Sequence, residues 1–492
     1  MRPKQATISQ RTGGRARRGG SLAAACALVI ATVAGCGGSS EPKAESTTTD
    51  ADASAPGAAA GGAGVDTGVE LVAEAFAADV DTSAGDAATA ASAAFLPAYA
   101  VSSGPKVGTV DIKVGSHPFA VAVNSTTGKA YAANNYTNDV TVIDGKTNKT
   151  TTVKAGAEPT AVAINEKTDK VYVANIKGLD KHGNVDPNSP GTITVIDGKT
   201  NKTTTVKGAL EPFAVGINEK TNKIYVANQG SNDLTVIDGK TNKTKTIALR
   251  PANATNIYSG ILTPQDVKIN TVTNRIYVTG SQSNTVAVID GNTNKILSVL
   301  KTEGLPADKS APTAKYATSQ TGLTPTSIAI DETRNLIYTA NFTSNDITVI
   351  DGKTSKGTII PLVDVQDPYS IKVNPITNKI YTANLTSRSI TIIDGATKGA
   401  VTIGDLPGKP HDAAINLTTN KIYFPSYVLY RGAEVGDDKQ ITGVILELDG
   451  KTNKITTIIA GITPYAVAVD HIRNKTYVMN QDSDTVTVVS GG

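Results

Sequence analysis

Chemistry needs groups that ionise, ligate or attack, and this chain of 492 residues carries few of them. It has four histidines, His117, His182, His411 and His471, and two cysteines, Cys26 and Cys36. His117 and His411 each flank a proline, Pro118 and Pro410, and are the candidates for lining a binding-site mouth. Such a pair could hold a metal or relay a proton, but no third ligand accompanies it. The acidic stretch Glu434-Val435-Gly436-Asp437-Asp438 could hold a cation, yet it lacks the alternating oxygen donors of a calcium loop. There is no Cys-x-x-Cys-His haem motif, zinc-protease histidine pair, glycine-rich nucleotide loop or nucleophile elbow. The sequence therefore predicts no catalytic residue, no metal and no cofactor, and an enzyme is the less expected reading.

The cysteines read as targeting. Arg2, Lys4, Arg11, Arg15, Arg17 and Arg18 precede an apolar stretch from Leu22 to Ala34, which is short for a bilayer span and fits a cleaved signal. It ends in Val33-Ala34-Gly35-Cys36-Gly37, which resembles a bacterial lipobox. That resemblance implies cleavage before Cys36 and a diacylglyceryl group on its sulfur, with residues 1–35 as signal peptide. Cys26 leaves with the signal, so no disulfide is expected. Multiple acyl chains would hold the bilayer where one would not. Processing also changes the charge. The formal net charge is +3, but the first 35 residues carry six basic and no acidic side chains, leaving about −3. No nucleic-acid partner is expected.

Residues 36–105 are rich in Ala, Gly, Ser, Thr and Asp and read as a flexible linker. Val69–Val80 could form a weak amphipathic helix, though disorder is the preferred expectation.

From residue 106 to 492 one pattern recurs, clearest from Pro212 as PFAVGIN, EKTNK, IYVAN, QGSND, LTVIDG, KTNK and TKTIAL. Four short alternating runs separated by Gly/Asn/Lys/Thr turns predict a meander of antiparallel strands, A to D. Each copy opens on a proline, carries a central Tyr in strand B and mostly ends strand C in Ile-Asp-Gly. A residue recurring once per copy has a structural task. Tyr131 and its equivalents fill the gap between sheets with the hydroxyl at a polar edge, and Asp144 and its equivalents accept turn N–H groups. The copies Tyr172-Val-Ala-Asn175, Tyr225-Val-Ala-Asn228, Tyr338-Thr-Ala-Asn341 and Tyr381-Thr-Ala-Asn384, with the Val-Ile-Asp-Gly ends, resemble the YVTN family of β-propellers. The resemblance implies an all-β propeller of four-stranded blades and leaves function open, because such rings serve many roles.

The last copy has strands A, B and C and then stops, while the array opens with a lone D-like run, Lys106–Gly115. Joining the two completes one blade and removes the free edge. Eight blades result, with seven as the alternative.

The insertions Ile176–Gly191, Arg250–Thr263, Lys301–Thr324 and Pro425–Gly443 all fall at the B–C and D–A end. The opposite, short-turn end is uniform and carries lysines such as Lys146, Lys149, Lys199, Lys202, Lys240, Lys243, Lys451 and Lys454, read as solvated charge. The expectation is a monomeric, lipid-anchored binding or scaffold protein of a bacterial envelope, on the outer membrane or cell surface. It would take a protein, glycan or small molecule on its long-loop face. An envelope enzyme or accessory subunit working at the channel mouth, and a structural envelope component, are the alternatives.

Overall fold

The structure, a computed structural model, describes residues 108–180, 182–186, 188–250, 261–301, 320–428 and 443–491, and the backbone of 94–96. All lie in one compact unit, Ala75–Gly492. The signal segment, Cys36, Val69–Val80, Glu434–Asp438 and nearly all of the linker lie outside the described residues.

Eight antiparallel sheets form a ring of eight blades. Their A strands are Pro118–Asn124, Ala157–Asn165, Pro212–Asn218, Pro264–Asn270, Pro325–Asp331, Pro368–Asn374, Lys409–Pro410 continued by Ala414–Asn416, and Pro464–Asp470. Strand D of the last blade is Gly108–Lys113, paired antiparallel with Thr485–Ser490. The N-terminal strand thus completes the C-terminal blade. A short strand, Ala94–Leu96, inside the stretch read as linker, adds in parallel to Ala400–Ile403 at the outer edge of blade 6.

The core is divided into eight clusters, one at each interface between neighbouring blades. Each contains one repeat tyrosine. Tyr225 of blade 3, for example, packs with Val267, Ile269 and Ile276 of blade 4. Tyr477 of blade 8 packs with Ala130, Ala132 and Ile143 of blade 1, so the ring closes through the same contact that builds it. Truncating a buried aromatic of this kind costs about 3–5 kcal/mol. Some of the phenols meet a polar partner, as Tyr423 does at Thr476 and Glu447 and Tyr381 at Thr377, and others do not. Among the described residues the hydroxyls of Tyr131, Tyr172, Tyr225, Tyr338 and Tyr477 have no hydrogen-bond partner. Burial raises their pKa, to about 12 for Tyr172 and Tyr225, which keeps them neutral.

Polar links lock the same interfaces at the short-turn end. Asn218 accepts the N–H groups of Lys220 and Thr221 at 3.0 and 3.2 Å, and its amide donates to Asn274 of the next blade at 2.8 Å. Asn124, Asn165, Asn270, Asn374 and Asn416 donate in the same way. Blades 5 and 8 have Asp331 and Asp470 there, which cannot donate when ionised. Arg334 and Arg473 cross instead, to the carbonyls of Pro375 and Ser125. A second link runs from the lysine that opens strand B to the turn of the next blade, as from Lys170 to the Gly239 carbonyl at 2.7 Å. The motif asparagine works within the blade. Asn228 donates to Asp233 at 2.6 Å and to Thr235 at 2.8 Å. The Asp of each Asp-Gly turn accepts the two following N–H groups, as Asp144 does from Lys146 and Thr147 at 3.0 and 2.8 Å. The Thr147 bonds lead the effects that hold its carboxyl below the usual carboxylate value.

Candidate functional site

The A strands line the central channel, and the way each begins decides what faces its mouth. In seven blades the residue before the opening proline has a left-handed backbone, from φ 51° at Glu211 to φ 57° at Asp367. That is uncommon for a non-glycine residue and more so before proline. A side chain from the preceding blade stabilises the bend. Asn138, Asn232, Asn284, Asn345 and Asp484 accept the N–H of Glu158, Thr263, Thr324, Asp367 and His117 at 2.7 to 2.9 Å. Immediately after each of these prolines the pairing with strand B slips by one residue, a β-bulge. The extra residue has no partner in the ladder, and bulges re-aim side chains in this way.

The bulge residues, with His411 in blade 7, form the rim of a mouth of about 170 Å³: Phe119, Thr160, Phe213, Gln265, Thr326, Tyr369, His411 and Tyr465. Five are aromatic rings, four of them in sequence around the rim. Tyr369 and His411 have centroids 4.5 Å apart, His411 and Tyr465 3.7 Å, and Tyr465 and Phe119 4.9 Å. His411 Nδ1 lies 3.2 Å from the Tyr465 carbonyl oxygen. Burial, the dominant effect, takes its pKa down to about 4 against the opposing pull of Asp412, so the imidazole is neutral at neutral pH.

One and three residues further along each A strand the repeat breaks its own rule. The first of these positions is Ala120, Ala161, Ala214 and Ala466 in blades 1, 2, 3 and 8, but Asp266, Ser327, Ser370 and Asp412 in blades 4 to 7. The second is Ala or Gly in six blades, and Lys268 and Lys372 in blades 4 and 6. Half the channel is therefore inert and half polar. Lys372 donates to Asp412 at 3.1 Å and to Ser370 at 3.0 Å, and Ser370 donates to Asp412 at 3.0 Å. Lys268 donates to Asp266 at 3.0 Å. Both carboxylates also accept backbone N–H groups across blade boundaries, Asp266 from Ile328 at 2.9 Å and Asp412 from Val467 at 3.4 Å. Burial would raise the Asp412 pKa. Lys372, the Ala413 N–H and Ser370 together outweigh it and hold the carboxyl below its usual value. Strand A of blade 7 is interrupted over residues 411–413, where these groups sit. Below, a chamber of about 530 Å³ is walled by Ile, Val, Ala and Leu side chains together with Lys268 and Lys372.

Of the residues singled out from sequence, His411 stands in the rim. His117 is not among the rim residues. It stacks on Tyr136 at 4.3 Å, and its Nδ1 lies 3.9 Å from Asp482. Burial lowers its pKa, with Asp482 and Asp484 opposing. No group of three or more potential metal-ligating side chains occurs among the described residues. Sequence reasoning missed Asp266, Lys268, Lys372, Asp412 and the aromatic rim. The signal was present as departures from alanine at two fixed offsets from the proline, but it emerges only when the A strands are aligned and known to face a channel.

No family model matches this chain, and no curated protein matches it. A solved structure titled streptogramin B lyase is similar over 78% of this chain and 97% of its own, with 12% identity and a TM-score of 0.47. A likeness of that degree carries no argument about this chain's chemistry.

Proposed function

We propose that this chain is a non-catalytic binding protein of the cell envelope, belonging with the YVTN-type propellers and anchored by lipid at Cys36. Its ligand site is the channel mouth on the long-loop face. The observation that carries the reading is the coincidence of two breaks in repeat symmetry at one place. An aromatic crescent on the rim runs from blade 6 through blades 7 and 8 to blade 1, and it overlaps the arc of Asp and Ser side chains of blades 4 to 7 at blades 6 and 7, where Tyr369 and His411 adjoin Ser370 and Asp412. Aromatic faces accept flat apolar faces of a ligand, and a few fixed polar groups beneath orient it. A mouth of this size holds one ring, such as a sugar or an aromatic.

Saturation-transfer NMR with monosaccharides and small aromatic compounds tests this. The native chain gives transfer to at least one ring class, and Tyr369→Ala with Tyr465→Ala removes it. Shortening the loop at 176–191 leaves it intact. Transfer that survives loss of both tyrosines, or disappears with the loop, would sink the mouth assignment. The anchor is tested separately. Cys36→Ser abolishes metabolic labelling with palmitate and moves the protein from the membrane to the soluble fraction. Full labelling of the variant contradicts it.

A second reading, an enzyme or accessory subunit using the same mouth, is favoured by one observation. A neutral buried imidazole, His411, adjoins an ionised carboxylate, Asp412, a pairing suited to proton transfer. Turnover of the bound compound, lost in His411→Gln with binding retained, distinguishes it from simple binding.

A further inference from the structure

The polar groups of the channel have unequal capacity left. Asp266 already accepts from Lys268, from the Val267 N–H at 2.8 Å and from the Ile328 N–H. Asp412 accepts from Ser370, Lys372 and Val467. Each ammonium, by contrast, has three donors. Lys268 uses one of them in the protein and Lys372 two. Both lysines belong to the wall of the lower chamber, whose other lining is apolar, including Ile217, Ile269, Val373 and Ile415, and their ammonium groups meet acids of the mouth above it. The acids fix the lysines in place, and the larger share of the unspent donor capacity lies on the two ammonium groups. The chamber reaches the short-turn end, where Leu417 of an A–B turn is part of its wall. The lysines of that face are exposed, as Lys146, Lys199 and Lys240 are, and would raise the local concentration of anions.

We propose that this chamber is a second binding site, distinct from the mouth, for a single-chain amphipathic anion of the fatty-carboxylate class. The carboxylate takes the free donors of Lys268 and Lys372, and the acyl chain lies along the Ile and Val walls. A chamber of about 530 Å³ is within the usual range for a small-molecule pocket. Ala163 of blade 2, across the ring from Lys372 of blade 6, is a small side chain at the same level of the wall. Neither the mouth ligand nor the lipid anchor is needed for this site.

Calorimetric titration of decanoate into the full-length chain carrying Cys36→Ser, free of detergent, tests the proposal. One decanoate binds per chain, and decan-1-ol and decyltrimethylammonium bind at least about tenfold more weakly, as expected when a charge-assisted hydrogen bond is lost. Lys268→Met weakens decanoate by a similar factor. Lys372→Met would leave Asp412 unpaired and could unfold the arc, so Ala163→Leu serves as the second variant. It narrows the chamber, leaves both ion pairs in place and also reduces affinity. Tyr465→Ala leaves decanoate binding unchanged, which separates this site from the mouth. Equal binding of the cationic amphiphile, or decanoate binding insensitive to Lys268→Met and Ala163→Leu, overturns the proposal. Loss of decanoate binding in Tyr465→Ala overturns the placement in the chamber. Binding to phosphatidylglycerol vesicles without any binding of decanoate overturns the single-chain class.

Discussion

Ile112→Asp lowers the stability of the whole ring by about 3 kcal/mol, read as a shifted midpoint in urea unfolding. Ile112 is buried against Val486 and Val488 of blade 8 and belongs to the cluster that joins blade 8 to blade 1. A carboxylate there enters an apolar interface with no partner and opens the contact that closes the circle. Val110, two residues earlier on the same strand, is 49% exposed, and Val110→Asp changes stability by no more than about 0.5 kcal/mol. Removing residues up to 116 has the larger consequence. Thr485–Ser490 becomes an unpaired edge, and such edges recruit other chains. Light scattering then reports larger species than the intact chain gives. A truncated chain of unchanged association state and equal stability would mean that strand 108–113 is dispensable for closure.

The second large effect comes from Asp346, where substitution is expected to stabilise. Its carboxyl is buried in blade 5, accepts the Asn341 amide at 2.7 Å, and is pushed up to about 6, chiefly by burial. A carboxyl whose folded pKa lies above its ordinary 3.8 holds its proton more tightly in the folded chain. Its contribution to stability is full below pH 3.8 and is lost as pH rises through 6. Above that the folded state carries a penalty of about 3 kcal/mol, taking 1.36 kcal/mol per pKa unit. Asp346→Asn preserves the acceptor and removes the charge. It therefore raises the melting temperature at pH 7.5 and removes the decline in stability between pH 4 and 6. An unchanged profile in the variant would show that Asp346 is ionised at no such cost. The turn aspartates, including Asp144, Asp197 and Asp351, act in the opposite sense. Their depressed pKa values favour folding above pH 3.8, and that support is lost as the pH falls through them.

Legibility in the sequence followed physical periodicity. Strands A to D, the tyrosine between blades, the Asp-Gly turns and the closing role of residues 108–113 all repeat or complete a repeat, and each could be read from spacing. Asp346 could not. Asp139 and Asp233 occupy the same place in the pattern and are only half-buried, whereas Gly322 closes over the Asp346 carboxyl. The left-handed residue before each proline and the bulge after it were equally silent, because the linear pattern does not show the slip in pairing that turns Phe119 or Tyr465 to the rim. The parallel strand Ala94–Leu96 lies in an alanine-rich stretch without alternation, so no period marked it. Histidines drew attention because their chemistry is conspicuous. The more telling residues were Ser, Asp and Lys at two positions where four and six of the eight blades have alanine or glycine, a contrast that requires register.

The crystal structure of the protein isolated from its native source tests most directly whether the broken symmetry of the channel marks the ligand site. The account predicts a bound organic molecule inside the channel, its ring against Tyr369, His411 and Tyr465 or its anionic head at Lys268 and Lys372. A channel holding only water, with the bound molecule or partner seated on the inserted loops or the outer rim of the blades, would contradict it.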